Sequence, residues 1–499
     1  MPNFKNMKYL KYITIVILIF SAQSCSDFLE QEPGTQTSID ELLQTKQGVL
    51  TALKGLYTSV EENVRGERFA AYADLQGGNL KITPFETTNK GEITIPTAFA
   101  KVYSFEDQSD TSEFKTFYDT NYDNINQANL LLEYTPKLTD ATEAEKNQII
   151  AEALTIRAYS HFLLSLVYSQ NYGFTPDATH LGIVYNTSSI KSGVKYPARE
   201  TVANTYSLII KDLKTALENY GSTSGLEGPA YSYFNNNNTK ALLARVYLYK
   251  KDWQNAYDTA NEVITNSGVT LMSSADLIAQ WEKPDLPVSE ILLEFSTPRD
   301  ASGTTSSSVA AYFGYTTSPP PLNTITNTGR KYVASNDLLN LYENNDLRKK
   351  LFLPLQLSTL IAGNQVPLPY NFTKKYHDNP GYVAFRLSEM YLIRAEAAAE
   401  NNKPELAMSD VNVIRARANA SLLTNTTNIK ENILLERRKE LCFEGHLFFD
   451  LVRNQKGITR NDGCISNVCS LNYPSPKFIL PIPLYNTNLN SNLKQNESY

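Results

Sequence analysis

Histidine, cysteine and tryptophan are scarce in this chain, whose 499 residues include 4 His, 4 Cys and 2 Trp. None of His161, His180, His377 and His446 falls in an HExxH or a paired Cys/His spacing, which removes the common metal signatures. A GxSxG elbow is missing, and so is a glycine-rich phosphate loop followed by Lys and Ser or Thr. The 52 Asp and Glu place carboxylate pairs everywhere, and for that reason they nominate no glycosidase. We therefore expect a non-enzyme with no cofactor and no metal. A net charge of −6, with no concentrated stripe of Lys and Arg, argues against a nucleic-acid partner. Beyond the N-terminus no stretch approaches the ~20 uninterrupted apolar residues of a membrane-spanning helix.

What the chain does have is tyrosine, 31 of them, an aromatic whose ring is apolar and whose hydroxyl tolerates water. It also has a distinctive start. Lys5, Lys8 and Lys11 precede the apolar run Ile13 to Phe20, then small and polar residues lead to Cys25. That order is the order of a secretory signal, with translation beginning at Met1 or Met7. A cysteine after such a run resembles a bacterial lipobox, although Gln23 is bulkier than that motif prefers and Ala22 stands where leucine is usual. On this reading residues 1–24 are a signal peptide, Cys25 carries lipid, and 25–40 form an acidic tether containing Pro and Gly.

The body is organised around residues 385–417, which read as two helices and a turn. Leu387, Tyr391, Ala395 and Ala398 recur at helical spacing, as do Ala407, Val411, Ile414 and Ala418. Asn401 and Asn402 can end the first helix, and Pro404 suits the first turn of the second. An echo lies at 239–264, with Asp252 as N-cap and Ala256, Ala260 and Val263 as the buried stripe. In both copies an alanine of the first helix (Ala244, Ala395) precedes one of the second (Ala256, Ala407) by 12 residues. Stacked hairpins of this kind are the tetratricopeptide type. Further helices are expected at 41–63, 114–134, 151–168 and 201–220, with a turn in the glycine-rich segment 73–80 and an irregular insert at 171–199. The expected fold is mostly α: a tetratricopeptide-like scaffold over 41–267, an irregular, loop-rich inserted ligand-binding portion over 268–384, and a helical C-terminal part over 385–499.

In that last part, 429–452 reads as one helix whose Glu436, Arg437, Arg438 and Glu440 form a solvated face with ion pairs. Cys442, between Leu441 and Phe443, suggests a buried thiol. Cys464 and Cys469 are close enough to close a small disulfide in an exported protein, and too few ligands lie nearby for zinc.

Several segments together resemble the SusD/RagB outer-membrane lipoproteins of Bacteroidetes: CSDFLEQEP, YADLQGGNL, EALTIRAYSHFLLSLVYSQNYG, FRLSEMYLIRAEA, ERRKELCFEGHLFFDLVR and LPIPLYNTNLNSNLKQN, in order along nearly the whole chain. The resemblance implies four tetratricopeptide-like helix pairs, an outward-facing position at the outer membrane, and pairing with a TonB-dependent transporter of the SusC/RagA type. It implies a nutrient ligand, an oligosaccharide for many members and a peptide for RagB-like ones; a repeat scaffold with no nutrient ligand is a further alternative. A glycan platform needs exposed rings in loops. The candidates are Tyr72, Trp281, Tyr312, Phe313 and Tyr315, while Trp253, at the start of a repeat helix, reads as core.

Overall fold

The computed structural model describes residues 38–85, 91–191, 193, 195–221, 224–282, 289–295, 309–314, 330–376 and 381–499. The expected leader, Cys25, the tether up to residue 37, and Tyr315 lie outside the described residues.

The principal helices are α1 (Lys46–Arg65), α2 (Glu67–Gly77), α3 (Lys115–Tyr134), α4 (Glu143–Tyr168), α5 (Val202–Asn219), α6 (Asn236–Lys250), α7 (Trp253–Asn266), α8 (Leu387–Glu400), α9 (Pro404–Arg417), α10 (Ile429–Glu440) and α11 (Leu447–Arg453). Their starts are written locally. Thr142 and Glu145 close a reciprocal capping box at α4, Asn235 and Asn238 do the same at α6, and Pro404 opens α9. Asp252 sits at the N-cap of α7 but makes no capping bond, its carboxylate facing Asn255 and Lys250 instead. Four antiparallel pairs follow: α1 with α3, α4 with α5, α6 with α7, and α8 with α9, each pair packed on the next. Ala244, Ala256, Ala395 and Ala407 are all fully buried, so these small side chains let the repeat backbones approach closely. Helix α4 is long and apolar enough by length and composition to cross a membrane, yet 89% of that window is buried inside protein, as suits the central helix of the stack.

Three expectations need correction. The segment 429–452 is two helices, because Phe443 and Gly445 take positive φ of 67° and 78°. Tertiary partners satisfy the freed backbone there: Asp74 accepts from the Gly445 N–H (2.9 Å), and Lys375 donates to the carbonyls of Glu440 (2.7 Å) and Cys442 (3.0 Å). The charged face of α10 is not solvated; Glu436, Arg437 and Glu440 are buried, and only Arg438 is partly open. Groups beyond the helix neutralise them, with Arg348 on Glu436 (2.6 Å) and Glu440 (2.9 Å), Arg386 and Arg417 on Glu440, and Asp450 on Arg437 (2.9 Å). Helical spacing cannot reveal partners that far away.

The third concerns the region expected to be irregular. β4 (Phe352–Ile361) and β5 (Asn364–Thr373) form a ten-residue hairpin, in a sheet of order β1-β3-β5-β4 with β1 (Leu80–Ile82) and β3 (Tyr332–Ala334). Ala362 and Gly363, both at positive φ, make its turn. β2 (Ile291–Phe295) pairs antiparallel with β6 (Tyr382–Arg386), which runs across the boundary expected at 384/385. In the glycine-rich segment the turn falls on Gly78, at φ 89°, while Gly77 still belongs to α2. A Cβ at Gly77 would lie 2.6 Å from Leu447 Cγ, so only glycine lets α11 approach there.

Candidate functional site

The four rings proposed from sequence that fall among the described residues are not exposed. Tyr72, Trp281, Tyr312 and Phe313 retain 1%, 2%, 7% and 0% of their accessible surface. Tyr72 packs among Phe114, Phe448 and Phe449. The other three meet in one interior cluster: Tyr312 on Phe313 (centroids 4.8 Å apart), and Phe313 and Trp281 both on Tyr376 (5.9 and 6.3 Å). Arg386 and Lys375 cover Trp281, and the Tyr312 hydroxyl donates to the Arg65 carbonyl. Rings with both faces taken cannot stack on a ligand, so these four serve the interior. Cys464 and Cys469 are bonded to each other, and Cys442 is a buried free thiol. Among the described residues no group of three or more His, Cys, Asp or Glu is arranged to hold a metal ion.

Exposed rings occur elsewhere. Tyr485, 63% exposed, lines an open cleft of about 570 Å³ between α3, the segments 184–190 and 195–197, and the segment 484–493; Tyr196, 55% exposed, adjoins its lining residues Lys195 and Pro197. Helix α3 supplies Tyr118, Asp119, Tyr122, Asp123, Asn126 and Asn129, a single face by its spacing. Tyr118 and Tyr122 lean together at 4.8 Å at the base. Leu489 and Leu493 add apolar surface, while Asn186, Asn486 and Asn490 add amides. Apolar ring faces beside convergent amides and carboxylates are what a polyhydroxylated ring needs, because its faces are apolar and its edges hydrogen-bond.

The loop wall has no regular structure, so side chains must satisfy its backbone. Asn126 does so on both sides of Ile190, accepting from its N–H (2.7 Å) and donating to its carbonyl (3.2 Å). Asn129 donates to the Asn186 carbonyl (3.3 Å), and the Tyr122 hydroxyl donates to that of Val184 (3.2 Å). His161 accepts the Asn186 N–H at Nε2 (3.1 Å) and bonds the Arg157 carbonyl through Nδ1 (2.9 Å), its ring stacked on Tyr185. Burial, and secondarily Arg157, hold His161 down to about 3, so it stays a neutral acceptor. Arg157 in turn forks onto Asp212 (2.7 and 2.6 Å) and donates to Asn129 Oδ1 (2.7 Å). At the far end Arg199, lowered to about 10 by burial and still cationic, ties the carbonyls of Gly182 (2.6 Å), Tyr168 (3.0 Å) and Lys494 (3.1 Å) together. Asn490 and Asn492 fasten the C-terminal wall to the carbonyls of Pro197 (2.7 Å) and Tyr196 (2.8 Å). The sequence carried one signal for this site: the stripe Tyr118-Asp119, Tyr122-Asp123, Asn126, Asn129, polar and aromatic on one face of a helix.

A stack of tetratricopeptide-like helix pairs carrying a small sheet and an aromatic cleft defines a binding scaffold, and comparison with known proteins agrees. A model of the SusD family matches residues 364–499, and one described as starch-binding, associating with the outer membrane, matches residues 27–248. The chain is 24% identical over 498 residues to the SusD-like protein P25 of Formosa agariphila, spanning 90% of each. It is 35% identical over 120 residues to the starch-binding protein SusD of Bacteroides thetaiotaomicron, 23% of this chain and 21% of that one. A SusD superfamily protein from Bacteroides thetaiotaomicron superposes with a TM-score of 0.75 at 25% identity, covering 91% of this chain and 99% of the other. A putative sugar binding protein from Bacteroides vulgatus gives 0.74 at 24%, with the same coverage. The chain belongs to the SusD/RagB family.

Proposed function

We propose that this protein is a nutrient-capturing lipoprotein of the outer membrane that binds an oligosaccharide in the cleft between α3 and the segments 184–197 and 484–493. It binds without turning the ligand over. Lipid on Cys25 anchors it facing outward, and it passes the ligand to a TonB-dependent transporter of the SusC/RagA type. Family membership supports the location and the class of role, and the family description and the names of the relatives support a sugar. The observation that carries the choice of cleft is the exposed ring of Tyr485 beside the Tyr118/Tyr122 pair and a row of amides.

Calorimetry of the soluble body from Asp27 onward against a panel of oligosaccharides and peptides tests the reading. A glycan hit that weakens in Tyr485→Ala supports it. A peptide hit with silence on sugars replaces the oligosaccharide by a peptide, and silence on both leaves a repeat scaffold that binds protein alone.

A further inference from the structure

The cleft is not electrically uniform. The charged groups facing it are Asp119 and Asp123 on α3 and Lys195 on the loop, with Lys115 beside them. Lys115 is spent on Asp119, one turn along the same helix, and its ammonium also lies 5.7 Å from the Tyr485 ring centroid. Asp119 additionally accepts from Asn486 Nδ2 (3.1 Å). Lys195 is exposed and donates to Ser188 Oγ (2.7 Å) and the Ser189 carbonyl (3.2 Å), which holds it against its own loop. Asp123 stands apart. It makes no hydrogen bond and no ion pair with any described residue, and it lies between Tyr122 and Asn126 on the face that lines the cleft. Partial burial and the neighbouring Asp119 raise its carboxyl above the usual range, against the opposing pull of Lys115.

We infer that Asp123 sorts ligands by charge, so that this cleft takes glycans built of neutral or amine-bearing sugars and disfavours those carrying uronate or sulfate. The inference rests on the cleft being the glycan site proposed above. A carboxylate with free oxygens accepts charge-assisted hydrogen bonds from sugar hydroxyls or an ammonium group. A carboxylate or sulfate brought to the same place is repelled by it, and among the described residues the cations at the cleft already have partners, Lys115 on Asp119 and Lys195 on Ser188 and Ser189 of its own loop. The specificity is set by an obstacle as much as by an attraction.

The test is isothermal titration calorimetry of the soluble body with three oligosaccharides of equal length and linkage: a neutral hexose oligomer, its amino-sugar counterpart and its uronate counterpart. The expected order of affinity at low salt is amino, neutral, uronate. Unlike charges about 5 Å apart across water change affinity about fourfold, and like charges do so in the opposite sense, so each step should be of that size and should shrink as salt rises. Asp123→Asn removes the charge and keeps the shape of a side chain that has no hydrogen bond or ion pair among the described residues, so the fold is retained; it should bring the three affinities within about twofold of one another. Uronate binding as tight as neutral binding, or a preference that persists unchanged in Asp123→Asn, overturns the charge sorting while leaving the site. If none of the three binds, or Tyr485→Ala leaves all three unchanged, the cleft is not the glycan site and the inference falls with it.

Discussion

Glu152 offers the most direct test of how the helical stack tolerates charge. The residue is fully buried in α4, and among the described residues its carboxylate has three donors and no cation: Tyr57 Oη at 2.7 Å, Gln148 Nε2 at 2.9 Å and Ser224 Oγ at 3.2 Å. Burial pushes the carboxyl up from 4.5 to about 7, against the opposing pull of those hydrogen bonds. The folded protein therefore holds this proton more tightly than the unfolded chain does. Its stabilising effect is complete below about pH 4.5, is lost as pH rises towards 7, and is absent above that; the swing is ~3 kcal/mol. Glu152→Gln removes the ionisation and keeps the shape. Its carbonyl can accept from Tyr57 and Ser224, and its amide can donate to Gln148 Oε1, an atom that is buried without a partner. Urea denaturation of both proteins at pH 4 and pH 8 isolates the group, because every other titration cancels in the difference. We expect the variant to gain ~3 kcal/mol relative to the parent between the two pH values. A gain below ~1 kcal/mol, or one of opposite sign, would refute the argument that an unpaired carboxylate is held in this interior.

Glu440→Gln acts on the other buried charge system, where Arg348, Arg386 and Arg417 all converge on one carboxylate held well below its usual range. Removing it should cost ~3–5 kcal/mol by denaturation, and a cost under ~1 kcal/mol would show that the guanidiniums find other partners. Tyr485→Ala should lose ~0.5–1.5 kcal/mol of glycan affinity with stability unchanged, whereas Trp281→Ala should lose ~3–5 kcal/mol of stability; the reverse pattern would return Trp281 to the ligand surface. Cys464→Ser opens a loop whose ends are 5 residues apart. It should cost ~2 kcal/mol, reproduced in the parent by reductant, and an unchanged denaturation midpoint would refute a stabilising role for the bond.

Where the sequence was legible, one local period decided the structure. The α8–α9 hairpin shows its buried stripe at helical spacing, and Asn402, at φ 57°, and Pro404 punctuate it where expected. The β4–β5 hairpin escaped because the helical period fades in the region around it and turn residues take over there, and the strands themselves carry Pro354, Pro367 and Pro369, which strands seldom hold. β4 is an edge strand, and β5 meets β3 only at Asn371, so those prolines interrupt little pairing. The alternation was nonetheless present: Leu353, Leu355 and Leu357 stand opposite Phe372, Tyr370 and Leu368. The ring candidates failed for a different reason. Ser and Gly flanking Tyr312 and Phe313 describe the chain around them, not what their faces touch, and burial depends on Tyr332, Tyr376 and Phe443, all distant in sequence.

The same contrast explains why the cleft, built largely from loops, has a defined shape. A wall without strand or helix would ordinarily leave its backbone groups to water, and its conformation would then compete with many others. Here the amides of Asn126 and Asn129 act as extra backbone, and Asn129 is itself oriented by Arg157, whose other donors are fixed on Asp212. His161 closes the circuit from the same helix as Arg157, one turn on, through the Asn186 N–H. The positions of Asn186 and Ile190 are thus determined by the α4–α5 pair, the tightly packed centre of the stack, rather than by the loop's own residues. On the proposed reading, a ligand entering between Tyr485 and α3 meets a surface ordered before it arrives, so binding does not have to supply the entropy of arranging that wall. The helical repeat, legible from its alanines, is therefore the reason an irregular stretch of chain can hold amides and rings in register with one another.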